Sequence, residues 1–167
     1  MSENPESEAE FFELKRKHLR ELTQLSRAYF TELMPHDTSL RMSDDWDSRY
    51  RSLMEIAVGS AQFSLCGMRI GKEMIGFIMF GYRVETLWQA HNRGYISNIY
   101  VAPRHRRKGI GREMVQNAVA RLAGSGVHLI ELELYTTNEP ADNFWRSFGF
   151  APFKYRSRLI LDKSFEE

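Results

Sequence analysis

The stretch Tyr95-Ile-Ser-Asn-Ile-Tyr-Val-Ala-Pro-Arg-His-Arg-Arg-Lys-Gly-Ile-Gly-Arg112 decides how the rest of the chain is read. An apolar, β-prone run ends at Pro103, a basic loop follows, and two glycines one residue apart open an amphipathic helix. Backbone N–H groups at a helix N-terminus, set amid positive charge, suit a polyphosphate. Two common phosphate-binding patterns are absent. There is no Gly-x-x-x-x-Gly-Lys-Ser/Thr, and Met114 stands where a dinucleotide fingerprint needs a third glycine. A solvated basic turn before an ordinary helix is the plain alternative, since a Gly-x-Gly pair alone is weak. Strand, proline, basic run and helix in that order favour the anion cradle.

Upstream of this stretch, Phe63 to Ile70 and Met74 to Val84 are β-rich runs joined by Gly71-Lys72, which predicts a hairpin. Glu85 to Gly94 is a polar connector carrying Trp88 and His91, and Tyr95 to Val101 reads as the next strand. Downstream, Ile110, Met114, Ala118 and Leu122 recur at steps of four, predicting a helix that ends near Gly124-Ser-Gly126. A strand over Leu129 to Tyr135, a short helix over Ala141 to Phe148 and a last strand over Phe153 to Leu161 complete this half.

Residues 8 to 34 hold no Gly or Pro, and Phe11, Leu14, Leu22, Leu25, Tyr29 and Leu33 form one apolar stripe. The spacing predicts a long helix or two abutting ones, closed by Pro35, with His18 on the same stripe as a core or interface histidine. Ser43, before Asp44-Asp45-Trp46, reads as the start of a short helix to about Ala57. The expectation is one α/β (α+β) domain over residues 1–167, a mixed sheet with helices packed on it. It divides into a polar tail (1–7), a helical region (8–57) and a core (60–161).

Composition narrows the function. The chain has 167 residues, 43% hydrophobic and 27% charged, as expected of an ordinary globular domain. A net charge of +1 argues against a nucleic-acid partner, which normally meets a wider basic face. The single cysteine, Cys66, excludes an internal disulfide framework and a Cys-rich zinc site, and its apolar setting reads as a buried structural thiol. No metal site is expected. A polar N-terminus without a secretory pattern, and no apolar run long enough to span a bilayer, point to the cytoplasm and away from a membrane.

Arg106-Arg-Lys-Gly-Ile-Gly111 resembles the Arg/Gln-x-x-Gly-x-Gly/Ala signature of the GCN5-related N-acetyltransferase superfamily. The run ending Ile-Tyr-Val-Ala-Pro103 looks like that family's fourth strand. Leu132-Glu-Leu-Tyr-Thr-Thr-Asn138 resembles its fifth strand and the asparagine after it, and Asn143-Phe-Trp-Arg-Ser-Phe-Gly-Phe150 the short helix and Gly-Phe pair. The likeness covers roughly residues 60 to 160. It implies a mixed, mostly antiparallel sheet whose fourth and fifth strands splay apart.

What the resemblance implies is an N-acetyltransferase that uses acetyl-CoA to acetylate a primary amine of a small molecule or protein by direct attack. A non-catalytic acyl-CoA-binding module, or an acetyltransferase with a nucleic-acid-linked acceptor, are the alternatives, and a homodimer is open. The amides from Arg106 through Arg107, Lys108, Gly109, Ile110 and Gly111 to Arg112 would wrap the pyrophosphate. Arg104, Arg107 and Lys108 would reach the ribose phosphate or remain solvated. Ile99 and Val101 would pair their backbone with the pantetheine arm, and an amide near Ile99 or Tyr100 would hold the oxyanion. Asn138 would bond the arm or the diphosphate, with Phe144 and Trp145 beside the arm.

The family's usual acid, a tyrosine, is replaced here by Trp145, whose indole donates a hydrogen bond but not a proton at neutral pH. Tyr135 or water is left to protonate the thiolate, or the thiolate departs unassisted. Glu85 is the candidate base, ahead of Glu131 and Glu133, which read as a solvated strand face. Ser97 and Tyr95 could order a water instead, and an aromatic lining of Tyr82, Trp88 and Tyr95 would suit a cationic or aromatic acceptor, although core packing explains at least one of them. In most relatives a strand precedes the first helix; the helical reading of residues 8–34 leaves this chain without one.

Overall fold

The structure, a computed structural model, describes residues 8–87, 89 and 92–161. Five strands form one sheet in the order β1 (Glu10–Glu13), β2 (Phe63–Ile70), β3 (Glu73–Val84), β4 (Asn92–Val101) and β5 (Leu129–Leu132). The first four are antiparallel neighbours, and β5 runs parallel to β4. Helices α1 (Leu19–Leu33) and α2 (Trp46–Ala57) lie between β1 and β2, α3 (Ile110–Gly124) between β4 and β5, and α4 (Glu139–Arg146) after β5. No described helix is long and apolar enough to cross a membrane. Trp88, His91 and the tail over 1–7 lie outside the described residues.

β3 is buried on both faces, so it reads as a continuous apolar run, and its side chains feed two cores. On one face Met114, Val115, Ala118 and Leu122 of α3 and Trp145 of α4 cover Cys66, Met68, Ile78, Phe80 and Ile96. On the other, Leu19 and Leu22 of α1 and Met54 of α2 cover Leu65, Phe77, Met79 and Tyr100. Phe77 and Phe80 are fully buried, each worth about 1.5–3 kcal/mol of transfer free energy. Cys66 is sealed in the first core, where burial pushes its thiol up to about 11, as an inert structural cysteine requires.

Three expectations are corrected. Residues 8–34 do not begin as a helix. Glu10–Glu13 is a strand paired with β2, Phe11 and Phe12 turn to opposite faces, and Arg69 grips Glu10 with two nitrogens. The strand's free edge partner outweighs helical periodicity, because β2 offers a ladder that no helix could satisfy. This supplies the strand before the first helix, so the Tyr95 run belongs to β4. His18 sits in a 3-10 turn before α1, its Nδ1 accepting from the Lys15 amide. At the other end, Phe153–Leu161 is irregular rather than a strand, and Phe153, Tyr155, Leu159 and Leu161 are exposed. It has ion pairs but no ladder. Finally, β5 stops at Leu132, short of the predicted Tyr135.

The geometry that matters for function comes from β4. Its register against β3 steps from Met79↔Asn98 to Phe80↔Ile96, leaving Ser97 as an extra, bulged residue. A bulge bends a strand and sharpens its twist. Parallel pairing with β5 ends at Ile96↔Leu132, on the near side of that bulge. From Ser97 to Val101, β4 continues with no β5 partner. The two strands part there, as the splay expectation required.

Candidate active site between the parted strands

The floor of this cleft ends in the glycine loop. Arg106 is committed within the protein: its amide donates to the Pro103 carbonyl, its Nε to the Val101 carbonyl at 2.7 Å, and its Nη2 to both Glu32 oxygens at 2.8 Å. Its guanidinium lies over the Tyr100 ring, whose hydroxyl also donates to Glu32. Glu32 therefore ties α1 to the loop. Burial and the Glu32 carboxylate raise the Tyr100 phenol above its ordinary value.

After Arg106 the loop opens. Arg107 and Gly109 both lie in the left-handed region (φ 63° and 85°), an alternation that turns successive N–H groups toward one concave side. Gly109 caps α3 without a side chain, and the first helical amide to find a carbonyl is that of Glu113. The amides of Ile110, Gly111 and Arg112 are left at the positive end of the helix dipole. Among the described residues Arg107 and Lys108 form no ion pair, whereas Arg104 is engaged by Glu73 and His105. A Cβ on Gly111 would sit 3.5 Å from the Phe144 ring, so anything larger displaces that ring. Arg112 turns outward over Phe148 and bonds the Ser147 hydroxyl.

Across the cleft stands a polar cluster joined from three distant segments. Asp37, in the loop between α1 and α2, has a side chain only 3% exposed. It accepts from Arg158 at 2.6 and 2.8 Å, from the amide and hydroxyl of Ser39, and from the Tyr135 hydroxyl at 3.2 Å. Arg158, foremost, holds the carboxyl far below the usual carboxylate range. Burial, then Asp37, raises the Tyr135 phenol. His36 stacks on the Tyr135 ring, centroids 6.2 Å apart, with Nδ1 2.8 Å from the Thr137 hydroxyl.

The register locates this cluster. Tyr135 follows β5 by three residues, in the segment that leaves the ladder after its last pair, Ile96↔Leu132. Tyr135 lies near enough to Tyr29 for their charges to interact, and the Tyr29 hydroxyl accepts from Asn98 Nδ2 at 3.1 Å, just past the bulge.

The sequence matches the acetyltransferase (GNAT) family over residues 19–150. The chain belongs to that family. A match of 29% identity over 93 residues, 56% of this chain and 33% of the relative, is found with N-alpha-acetyltransferase 30 of Xenopus laevis. Streptothricin acetyltransferase of Streptomyces lavendulae is 41% identical over 81 residues, 47% of this chain and 39% of that one. The matches thus span well under half of these two relatives. Among solved structures, a tetramutant of a Bacillus halodurans protein superposes with a TM-score of 0.81 at 20% identity, covering 91% of this chain and 99% of that one; it supports the fold.

Within this GNAT frame, several expected site residues come together and others do not. Ile99, Tyr100, Val101 and the loop from Arg107 to Gly111 share one end of the cleft, with Phe144 beside them. Asn138 caps α4 through its Oδ1, accepting from the Ala141 amide at 3.3 Å, which leaves its Nδ2 for a ligand. Trp145 is 4% exposed, wedged among Phe144, Phe148 and Phe150 in the core under α3.

Glu85 lies elsewhere. It contacts Arg93 at 3.4 Å, an ion pair too long for a good hydrogen bond, and Arg93 also holds Glu131 at 2.9 Å. Arg93 opens the β4–β5 ladder, six residues and therefore ~20 Å along the strand from Ile99. Glu133 is paired with Arg156, and the Ser97 hydroxyl donates to the Met79 carbonyl. Tyr82 and Tyr95 do not line one site: Tyr82 packs on the α3 side, whereas Tyr95 stacks on Phe63 on the other. Adjacent registers place them on opposite faces.

Sequence reasoning passed over Glu32, His36, Asp37 and Arg158. The turn signal at Pro35 marked their loop, but nothing in the spacing linked it to residues about a hundred positions away.

Proposed function

We propose that this protein transfers the acetyl group of acetyl-CoA to a primary amine, of a small molecule or of a protein N-terminus. One observation carries the reading: a glycine loop whose helix-start amides, and whose Arg107 and Lys108, are unpaired among the described residues opens onto strands that part after Ile96. The amides from Arg107 to Arg112, with Arg107 and Lys108, are suited to a diphosphate, and the bare backbone of Ser97–Val101 to an extended pantetheine arm. Both of these relatives are acetyltransferases by name, one an N-alpha-acetyltransferase and one acting on streptothricin, so the acceptor class spans both.

The residues divide the work. An N–H of β4 near Ile99 or Tyr100 is placed to stabilise charge developing on the thioester oxygen. Tyr135 directs its hydroxyl hydrogen at Asp37, so the phenol presents lone pairs to the cleft and suits orienting the acceptor amine. In that geometry it is a poor proton donor to a thiolate, and a water fills that role better.

Incubation with acetyl-CoA and a panel of amines, reading CoA release, tests this. Turnover on any amine supports transfer. Tight acetyl-CoA binding without turnover favours the binding-module alternative, to which the burial of Trp145 at the family's acid position gives some weight.

A further inference from the structure

Resting on the acetyltransferase reading, we propose that His36 is the general base that deprotonates the acceptor amine. An ammonium has no lone pair for attack, so a base near the thioester is needed. Three carboxylates near the parted strands are each held by an arginine: Glu32 by Arg106, Asp37 by Arg158 and Glu133 by Arg156. An arginine bonded to a carboxylate occupies the oxygens that would otherwise accept the substrate's proton. Asp37, the most buried of them, is in addition held below the usual carboxylate range by Arg158 and Ser39.

His36 differs in every respect. Its ring is half-buried and fixed by two partners, the stacked Tyr135 ring and the Thr137 hydroxyl on Nδ1. In the tautomer with the hydrogen on Nδ1, donated to Thr137, Nε2 carries the lone pair and engages no other described group. Tyr135 follows the last β5 pair and lies near Tyr29, whose hydroxyl accepts from Asn98 of the unpaired end of β4, so the imidazole stacked on Tyr135 lies on that side of the parted strands. Sequence separation hid this: residues 36 and 137 meet only in the fold.

The step balances as follows. The ammonium passes one proton to Nε2, and the freed nitrogen forms a bond to the thioester carbon. The carbon–sulfur bond breaks and its electron pair stays on sulfur. The second nitrogen proton neutralises the thiolate through water, and His36 returns its proton to solvent. The titratable groups of the cluster that holds the imidazole are Asp37, Arg158 and Tyr135. Asp37 is shifted down and the other two up, so none changes state near neutral pH.

His36→Gln tests the role in the full-length protein, with CoA release under saturating acetyl-CoA and amine as the readout. We expect kcat to fall about 100-fold or more, the range for a general base. The acetyl-CoA Kd and the melting temperature stay at wild-type values, and the acid limb of the kcat–pH profile disappears. A variant kcat within threefold of wild type, or losses in Kd and melting temperature that account for the change, overturns the role of His36 alone. If wild type turns over no amine while binding acetyl-CoA, the acetyltransferase reading fails and this role falls with it.

Discussion

Replacing Asp37 by Asn removes one charge and keeps the shape, so it isolates what the carboxylate contributes. Asp37 accepts from Arg158 twice, Ser39 twice and Tyr135 once. Breaking a buried ion pair costs about 3–5 kcal/mol when the partner is left buried. Arg158, however, is 55% exposed and can regain water, which lowers the expected loss to about 2–3 kcal/mol. At this size each 1 kcal/mol moves the melting temperature by roughly 2–4 °C, so the variant should melt ~4–12 °C below wild type at pH 7.

The pH dependence supplies the sign. The carboxyl is depressed in the folded state, so its stabilisation is complete above the unfolded value near 3.9 and is lost as pH falls toward the lower folded value. At pH 3 the unfolded carboxyl is mostly protonated, and the gap between wild type and variant should shrink by about 1.3 kcal/mol. Thermal melts of both proteins at pH 7 and pH 3 read this directly. A variant melting within 1 °C of wild type at pH 7, or a gap that widens in acid, would show that the Asp37 carboxylate contributes no such stabilisation.

Other perturbations probe the loop and the core. Gly109→Ala forces an L residue to φ 85° with nothing nearby to clash, so the cost is conformational, about 1–2 kcal/mol by thermal melt. Gly76→Ala places a Cβ 2.6 Å from the Tyr100 carbonyl oxygen, so the end of β4 must shift; calorimetry should find weaker acetyl-CoA binding as well as a loss of about 1–3 kcal/mol in stability. Trp145→Phe leaves a void in the core, costing about 1–2 kcal/mol in a melt. Its kcat should stay within about threefold of wild type; a fall of roughly 100-fold would assign the indole a catalytic contact.

The legible parts of the fold share a cause. The Gly71-Lys72 hairpin, the β4 run and the steps of four in α3 are local patterns that tertiary contacts reinforce. β1 was illegible because Phe11 and Leu14 continue the helical stripe of α1. Only β2, more than fifty residues on, decides otherwise. The apolar alternation of Phe153–Leu161 reads as a strand, yet alternation alone does not build a ladder. In the site, the glycine loop was readable as contiguous sequence. The His36–Asp37–Tyr135–Arg158 cluster was not, because its members meet through ion pairing and ring stacking across the whole chain.

The order of strands in the sheet follows their order in the chain. Most neighbours are therefore close in sequence, and the meander from β2 through β4 closes only short loops. β1 must close across α1 and α2, and β5 across α3, to pair along only four residues each. Longer loops carry a larger closure entropy before contacts reward them. Folding should therefore nucleate in the central meander and add both outer strands late, bringing the Asp37 loop and Tyr135 with them. Native-state hydrogen exchange should show the same hierarchy, with β3 amides the slowest to exchange and those of β5 among the first. The segments that meet the acceptor would then be those the molecule can open at least cost, which suits a site that must admit a second substrate beside a bound first one.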